Sequence, residues 1–124
     1  ILEVGSATGI ISEQIDKSII CTDISLEMCK EAVRKKRANV ICCDAEKLPI
    51  RENILDGIIS AEVVYYLNNP NAFIEDSTRV LKKDGKLIGY RLVKEGSPKT
   101  LIGPNQRIYK ILKYYGPHLM NLKY

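Results

Sequence analysis

The chain has no tryptophan, one phenylalanine (Phe73) and one histidine (His118) in 124 residues. A single histidine leaves any zinc site to the cysteines, yet Cys21, Cys29, Cys42 and Cys43 show no Cys-x-x-Cys spacing, and no metal site is expected. Three of the four fall inside predicted strands, where a cysteine acts as a small apolar residue kept reduced, as in the cytoplasm. No apolar run approaches the roughly 20 residues that a membrane helix needs, so no membrane partner is expected. An initiator methionine is also missing, and the sequence opens inside what reads as a strand. The chain is therefore expected to be incomplete, and the absence of a leader peptide carries no information. A chain of this length has room for one domain with one core.

What is present is a series of short apolar runs at residues 1–4, 19–22, 40–43, 58–61 and 87–93. They do not alternate with polar residues, as expected of parallel strands covered on both faces. Helical patterns lie between them. Ser25 is a predicted N-cap with Glu27 in the first turn, and Met28, Cys29, Ala32 and Val33 follow at helical spacing. Phe73, Ile74, Ser77, Val80 and Leu81 share a second helical face. Residues 44–55 carry a proline and no helical period; extended, such a segment spans about 35 Å, enough to cross the sheet.

The first run leads into Gly5-Ser6-Ala7-Thr8-Gly9, and the second ends at Asp23. A small-residue loop lets backbone N–H groups approach a ligand, and a helix expected over residues 10–15 would aim its positive end at negative charge. An acidic residue about 20 positions after such a loop suits ribose hydroxyls. An ordinary strand-turn-helix with a surface aspartate fits these two features equally well.

Further motifs decide between these. Glu3, Gly5 and Gly9 match an acidic residue followed by Gly-x-Gly-x-Gly, with Ala7 at the middle glycine. Asp44-Ala45-Glu46-Lys47-Leu48-Pro49, Asp56-Gly57-Ile58-Ile59-Ser60-Ala61 and Arg79-Val80-Leu81-Lys82-Lys83-Asp84-Gly85 follow in order. Over residues 2–92 the chain resembles the class I S-adenosylmethionine-dependent methyltransferases, in the branch (type 11) that mostly methylates small molecules. The resemblance implies a Rossmann-like α/β fold with a doubly wound, mostly parallel sheet in the order 3-2-1-4-5 and right-handed crossovers. It implies a single domain over residues 1–124, with a core at 1–93 and a lid or docking region at 94–124. The usual C-terminal strand pair is not visible in the sequence after residue 93.

The same resemblance implies cofactor contacts at Glu3, Gly5, Ser6, Ala7, Gly9, Asp23, Ile24, Asp44, Ala45 and Ala61. The methionine end would lie at the glycine loop, the ribose on Asp23 and the adenine beside Ile24, Asp44 and Ala45. Glu62, Tyr65 and Tyr66 would face the methyl acceptor. Tyr66 stands where relatives commonly carry histidine, and an unperturbed tyrosine is a poor base near neutral pH. No residue is assigned as catalytic, because methyl transfer depends chiefly on holding nucleophile, methyl and sulfur in line.

Ser60-Ala61-Glu62 offers neither the Asn/Asp-Pro-Pro-aromatic motif of enzymes acting on exocyclic nitrogens of DNA bases nor a Pro-Cys nucleophile, which disfavours those acceptors. From Arg79 onward lysines and arginines dominate, with only Asp84 and Glu95 opposing them. A basic half of this kind suits RNA contact or a solvated face. The expected activity is methylation of a small molecule with S-adenosylhomocysteine as co-product. The alternatives are an RNA or protein methyltransferase, a nicotinamide-dependent oxidoreductase, and an inactive cofactor-binding scaffold. The oxidoreductase predicts Gly-x-Gly-x-x-Gly, whereas Gly5 and Gly9 lie four apart with no third glycine in place. Residues 105–115 read as a helix with Ile108, Ile111, Leu112 and Tyr115 on one face, expected to cover the substrate side. Neither the acceptor nor the oligomeric state is legible.

Overall fold

The computed structural model describes residues 1–15, 19–35 and 39–90. Among these residues, five strands form one sheet: β1 (Leu2–Val4), β2 (Ile20–Asp23), β3 (Asn39–Cys42), β4 (Leu55–Ala61) and β5 (Leu81–Tyr90). Their order is β3-β2-β1-β4-β5, and every pairing is parallel. The expected topology is therefore observed, with β1 central. Its Leu2, Glu3 and Val4 are all buried, which is why this stretch carries no polar alternation.

Among the described residues, two helices cover the sheet. Between β2 and β3 runs α1 (Leu26–Arg34), and Ser25 caps it by accepting the Met28 N–H at 3.3 Å. Its buried Cys29 and Ala32 lie on β2 and β3. Following β4, α2 (Pro70–Val80) is capped by Asn69, whose side-chain oxygen accepts the Ala72 N–H at 3.2 Å. Phe73 and Val80 of α2 pack with Leu2, Val4, Leu48, Leu55, Ile58, Leu81 and Leu87 in the main core. Burying a side chain such as Phe73 contributes roughly 1.5–3 kcal/mol.

The crossover at residues 43–54 is irregular, as its lack of period predicts, and one cluster fixes it. The Asp76 carboxylate accepts the Leu48 N–H at 2.6 Å and Arg79 Nε at 2.7 Å. The Arg79 guanidinium also donates to the carbonyls of Ile50 and Leu48 at 2.7 and 2.9 Å. Burial would raise the Asp76 carboxyl, but the bonds from Arg79 and the Leu48 N–H outweigh it and hold the group below the usual carboxylate range.

Three expectations need correction. The helix expected over residues 10–15 is a turn followed by one 3-10 turn, Ser12–Gln14. The Ser12 N–H donates to Glu3 Oε2 at 3.1 Å, and its hydroxyl bonds back to the Gly9 carbonyl at 2.9 Å. That N–H is then lost to the i−4 carbonyl, and the β-branched pair Ile10-Ile11 after a glycine nucleates helix poorly. Next, β5 begins at Leu81, directly after α2, not at residue 87. Leu55 pairs with Leu81 and Gly57 with Lys86, so residues 82–85 bulge out where a turn into the strand is expected. Leu81 accordingly leaves the helical stripe for the strand, although it stays in the core. Strand bounds also differ from the predicted runs: β2 and β3 are shifted by one residue, and β4 begins at Leu55, three residues before the run at 58–61. The expectations for a lid helix, a core boundary at residue 93 and a missing strand pair concern residues outside those described.

Candidate functional site

The strand order reverses at β1, and the C-terminal ends of the strands on either side open a cleft there, as expected at a topological switch point. Its volume is about 550 Å³, and its walls come from the residues that follow β1, β2, β3 and β4. After β1 the chain turns through positive φ three times, at Gly5 (66°), Ala7 (47°) and Gly9 (75°). Gly5 is required twice over: its φ disfavours a side chain, and a Cβ there would run into Val63 Cγ2. The Ser6 N–H donates to the Thr22 carbonyl at 2.9 Å and the Gly9 N–H to Ser6 at 2.8 Å, which closes the loop against β2.

Asp23 ends β2 beside this loop. One carboxylate oxygen accepts the Ala7 N–H at 2.8 Å, and the other accepts the Ser25 N–H at 2.9 Å. A carboxylate offers about four lone-pair sites, so both oxygens retain capacity for hydroxyl donors. Asp44, past the end of β3, accepts the Glu46 N–H at 2.8 Å. The Glu46 carboxylate in turn accepts the Asn69 N–H at 2.8 Å and joins the crossover to the start of α2. At the tip of β4, Glu62 has a φ of 58°, a left-handed conformation that costs of order 1–2 kcal/mol for a side chain of this kind and here turns the chain into the cleft wall.

Of the residues singled out from the sequence, Gly5, Ala7, Asp23, Ile24, Asp44, Ala45, Ala61, Glu62 and Tyr66 line the cleft. Glu3, Ser6, Gly9 and Tyr65 do not line it. Glu3 lies beneath the loop, 2% exposed, where its carboxylate holds the Ser12 N–H. Burial pushes its carboxyl above the ordinary value, although the Ser12 bonds act the other way. Ser6 and Gly9 shape the turn. Val4, Cys43, Glu46, Val63, Leu67 and Asn68 complete the wall; Val63 and Leu67 belong to the stretch 60–67 that the resemblance turns toward the methyl group, and Glu46 occupies a variable position of the Asp44–Pro49 motif.

The lining is acidic. Asp23, Asp44, Glu46 and Glu62 contribute four carboxylates, and no lysine or arginine lines the cleft among the described residues. Such a wall suits a ligand with positive charge and hydroxyl donors. S-adenosylmethionine carries both, in its sulfonium, its ammonium and its ribose, so the residues present fit it. No group of three or more His, Cys, Asp or Glu side chains converges as a metal site among the described residues. No described helix is long and apolar enough to cross a membrane.

The sequence pattern of the type 11 methyltransferase domain matches residues 2–89. An uncharacterised protein of Methanocaldococcus jannaschii is 37% identical over 87 residues, which cover 70% of this chain and 42% of that protein. The malonyl-[acyl-carrier protein] O-methyltransferase of Geobacter sulfurreducens is 29% identical over 110 residues, 82% of this chain and 41% of the enzyme. Among solved structures, a candidate S-adenosyl-L-methionine-dependent methyltransferase of Methanococcus maripaludis superposes with a TM-score of 0.66 at 26% identity, covering 71% of this chain and 46% of that one. The chain thus spans about two-fifths of the length of the curated relatives it matches.

Proposed function

Because the chain belongs to the type 11 methyltransferase domain family, we propose that it binds S-adenosylmethionine in the cleft and transfers its methyl group to a small-molecule acceptor. The observation that carries this reading is the convergence of the Gly5–Gly9 loop, Asp23 and Asp44 on one cleft beside β1. Gly5 and Ala7 receive the methionine end, Asp23 accepts from the ribose hydroxyls, and Ile24, Asp44 and Ala45 border the adenine. Glu3, Ser6 and Gly9 act indirectly, by holding the loop in shape.

When bound, the cofactor supplies a methyl group made electrophilic by its sulfonium. The chain's own part is to orient donor and acceptor in line, which accounts for most of the acceleration in such displacements. Glu62 and Tyr66 line the acceptor side, with Tyr65 beside them. Glu62 is the group able to take a proton from an acceptor that must lose one. The acidic lining supports a small neutral or cationic acceptor over RNA, whose phosphates the four carboxylates would repel. A cytoplasmic location belongs to the same reading, supported by four cysteines that are all free thiols.

Calorimetry with S-adenosylhomocysteine and with NAD tests the reading. Binding of the first and not the second is expected; the reverse would favour an oxidoreductase, and binding of neither would leave a scaffold without this cofactor. Asp23→Ala is expected to weaken S-adenosylhomocysteine by about one to two decades per lost bond, since a hydrogen bond to a charged group is worth roughly 1.5–3 kcal/mol. Unchanged affinity in a folded Asp23→Ala protein would remove Asp23 from the ribose site.

A further inference from the structure

Two thiols lie against one turn in the wall of the cleft. Cys29, on α1 one turn after the Ser25 cap, is only 5% exposed, and its Sγ lies 3.6 Å from the Asp23 carbonyl and 3.9 Å from that of Ile41. Cys42 ends β3 in register with Asp23, is exposed, and places its Sγ 3.6 Å from the Ile24 carbonyl. The two side chains therefore converge on consecutive carbonyls of one turn. Asp23 and Ile24, which supply those carbonyls, both line the cleft. The other cysteines are set apart. Cys43 follows Cys42 in the strand direction and so points to the opposite face, where it meets Thr22. Cys21 is fully buried beside Glu3.

We propose that Cys29 and Cys42 are a reversible redox pair, which an oxidised low-molecular-weight disulfide converts to an intramolecular disulfide that displaces the Asp23–Ile24 turn and weakens cofactor binding. The exposed Cys42 gives its proton to solvent, and its thiolate attacks one sulfur of the small disulfide. A mixed disulfide forms and one small thiolate leaves. Cys29 then loses its proton and attacks the Cys42 sulfur, which releases the second small thiol. Two protein thiols are oxidised and one small disulfide is reduced to two thiols, so electrons and protons balance. Burial, with Cys42 and Asp23 nearby, pushes the Cys29 thiol up to about 11, which makes its attack the slow step. Once bonded to each other, the sulfurs give up the carbonyls of Asp23 and Ile24. The coupling to the cofactor rests on the function proposed above; the disulfide does not.

The test treats the full chain with oxidised glutathione, maps its peptides by mass spectrometry without reduction, and titrates S-adenosylhomocysteine before oxidation, after it, and after dithiothreitol. A Cys29–Cys42 bridge two hydrogens lighter than the dithiol is expected, with affinity falling roughly tenfold, a change typical of coupled sites, and returning on reduction. Oxidised Cys42→Ser protein should show neither effect. No bridge, a bridge through Cys21 or Cys43, one between chains, or a Cys29–Cys42 bridge with unchanged affinity would each overturn the proposal. If the reduced protein binds no S-adenosylhomocysteine, the cofactor reading and the coupling fall together, while the peptide map still decides whether the disulfide forms.

Discussion

At the residue scale the glycine loop carries an avoidable strain. Ala7 stands at a φ of 47°, where a Cβ is unfavourable and glycine is not. Its N–H is nevertheless held by Asp23, which gives the loop a reason to keep that conformation. Ala7→Gly is expected to stabilise the fold by about 1 kcal/mol, less the entropy glycine adds to the unfolded chain. Thermal melts of both proteins check it, and a lower melting temperature in the variant would show that the loop relaxes elsewhere. Gly5→Ala should act in the opposite sense, because its Cβ runs into Val63 as well as into the same backbone penalty. The need for small residues here is legible in the sequence, but the sign of φ at position 7 is not. It depends on a hydrogen bond that the Ala7 N–H donates to Asp23, on a strand 16 residues away.

At the element scale, strand existence was readable because buried parallel strands leave unbroken apolar runs, strand order followed from the family resemblance alone, and Ser25 announced α1 by its capping chemistry. The 3-10 turn at Ser12–Gln14 was not readable, since it depends on the buried Glu3 carboxylate taking an N–H that helix periodicity assigns elsewhere. Nor was the early start of β5, which depends on four residues bulging against Leu55 and Gly57. The Arg79 motif acquires a physical role in the structure: it clamps the crossover whose far end presents Asp44. Asp76→Ala removes the acceptor of the Leu48 N–H and should cost roughly 1.5–3 kcal/mol, with little added for the half-exposed Arg79. Because the Asp76 carboxyl is held below its ordinary value, its contribution is present above pH 3.8 and is lost as pH falls further. Acid unfolding of the two proteins should therefore converge at low pH. A constant gap down to the lowest pH would assign the loss to packing instead.

At the scale of the whole molecule, the sheet brings an acidic cleft and a buried carboxylate to the same end of β1, and the second of these sets a pH dependence. Glu3 is buried beneath the loop, and burial raises its carboxyl above the ordinary value of 4.5. In the window between 4.5 and the raised value the folded state holds a proton that the unfolded chain has released. Stability conferred through this group is therefore greatest at the acidic end, falls as pH rises through the window, and then stays level. Glu3→Gln carries no such proton and keeps an oxygen for the Ser12 N–H. The stability difference between the natural protein and the variant, followed by urea unfolding from pH 4 to 8, is expected to move in the variant's favour as pH rises and then to plateau. S-adenosylhomocysteine affinity should change little, because Glu3 does not line the cleft. A difference that stays flat across this range would mean that the Ser12 bonds cancel the cost of burial. A large loss of affinity at constant stability would instead make Glu3 a direct ligand and move the cofactor deeper than the cleft described.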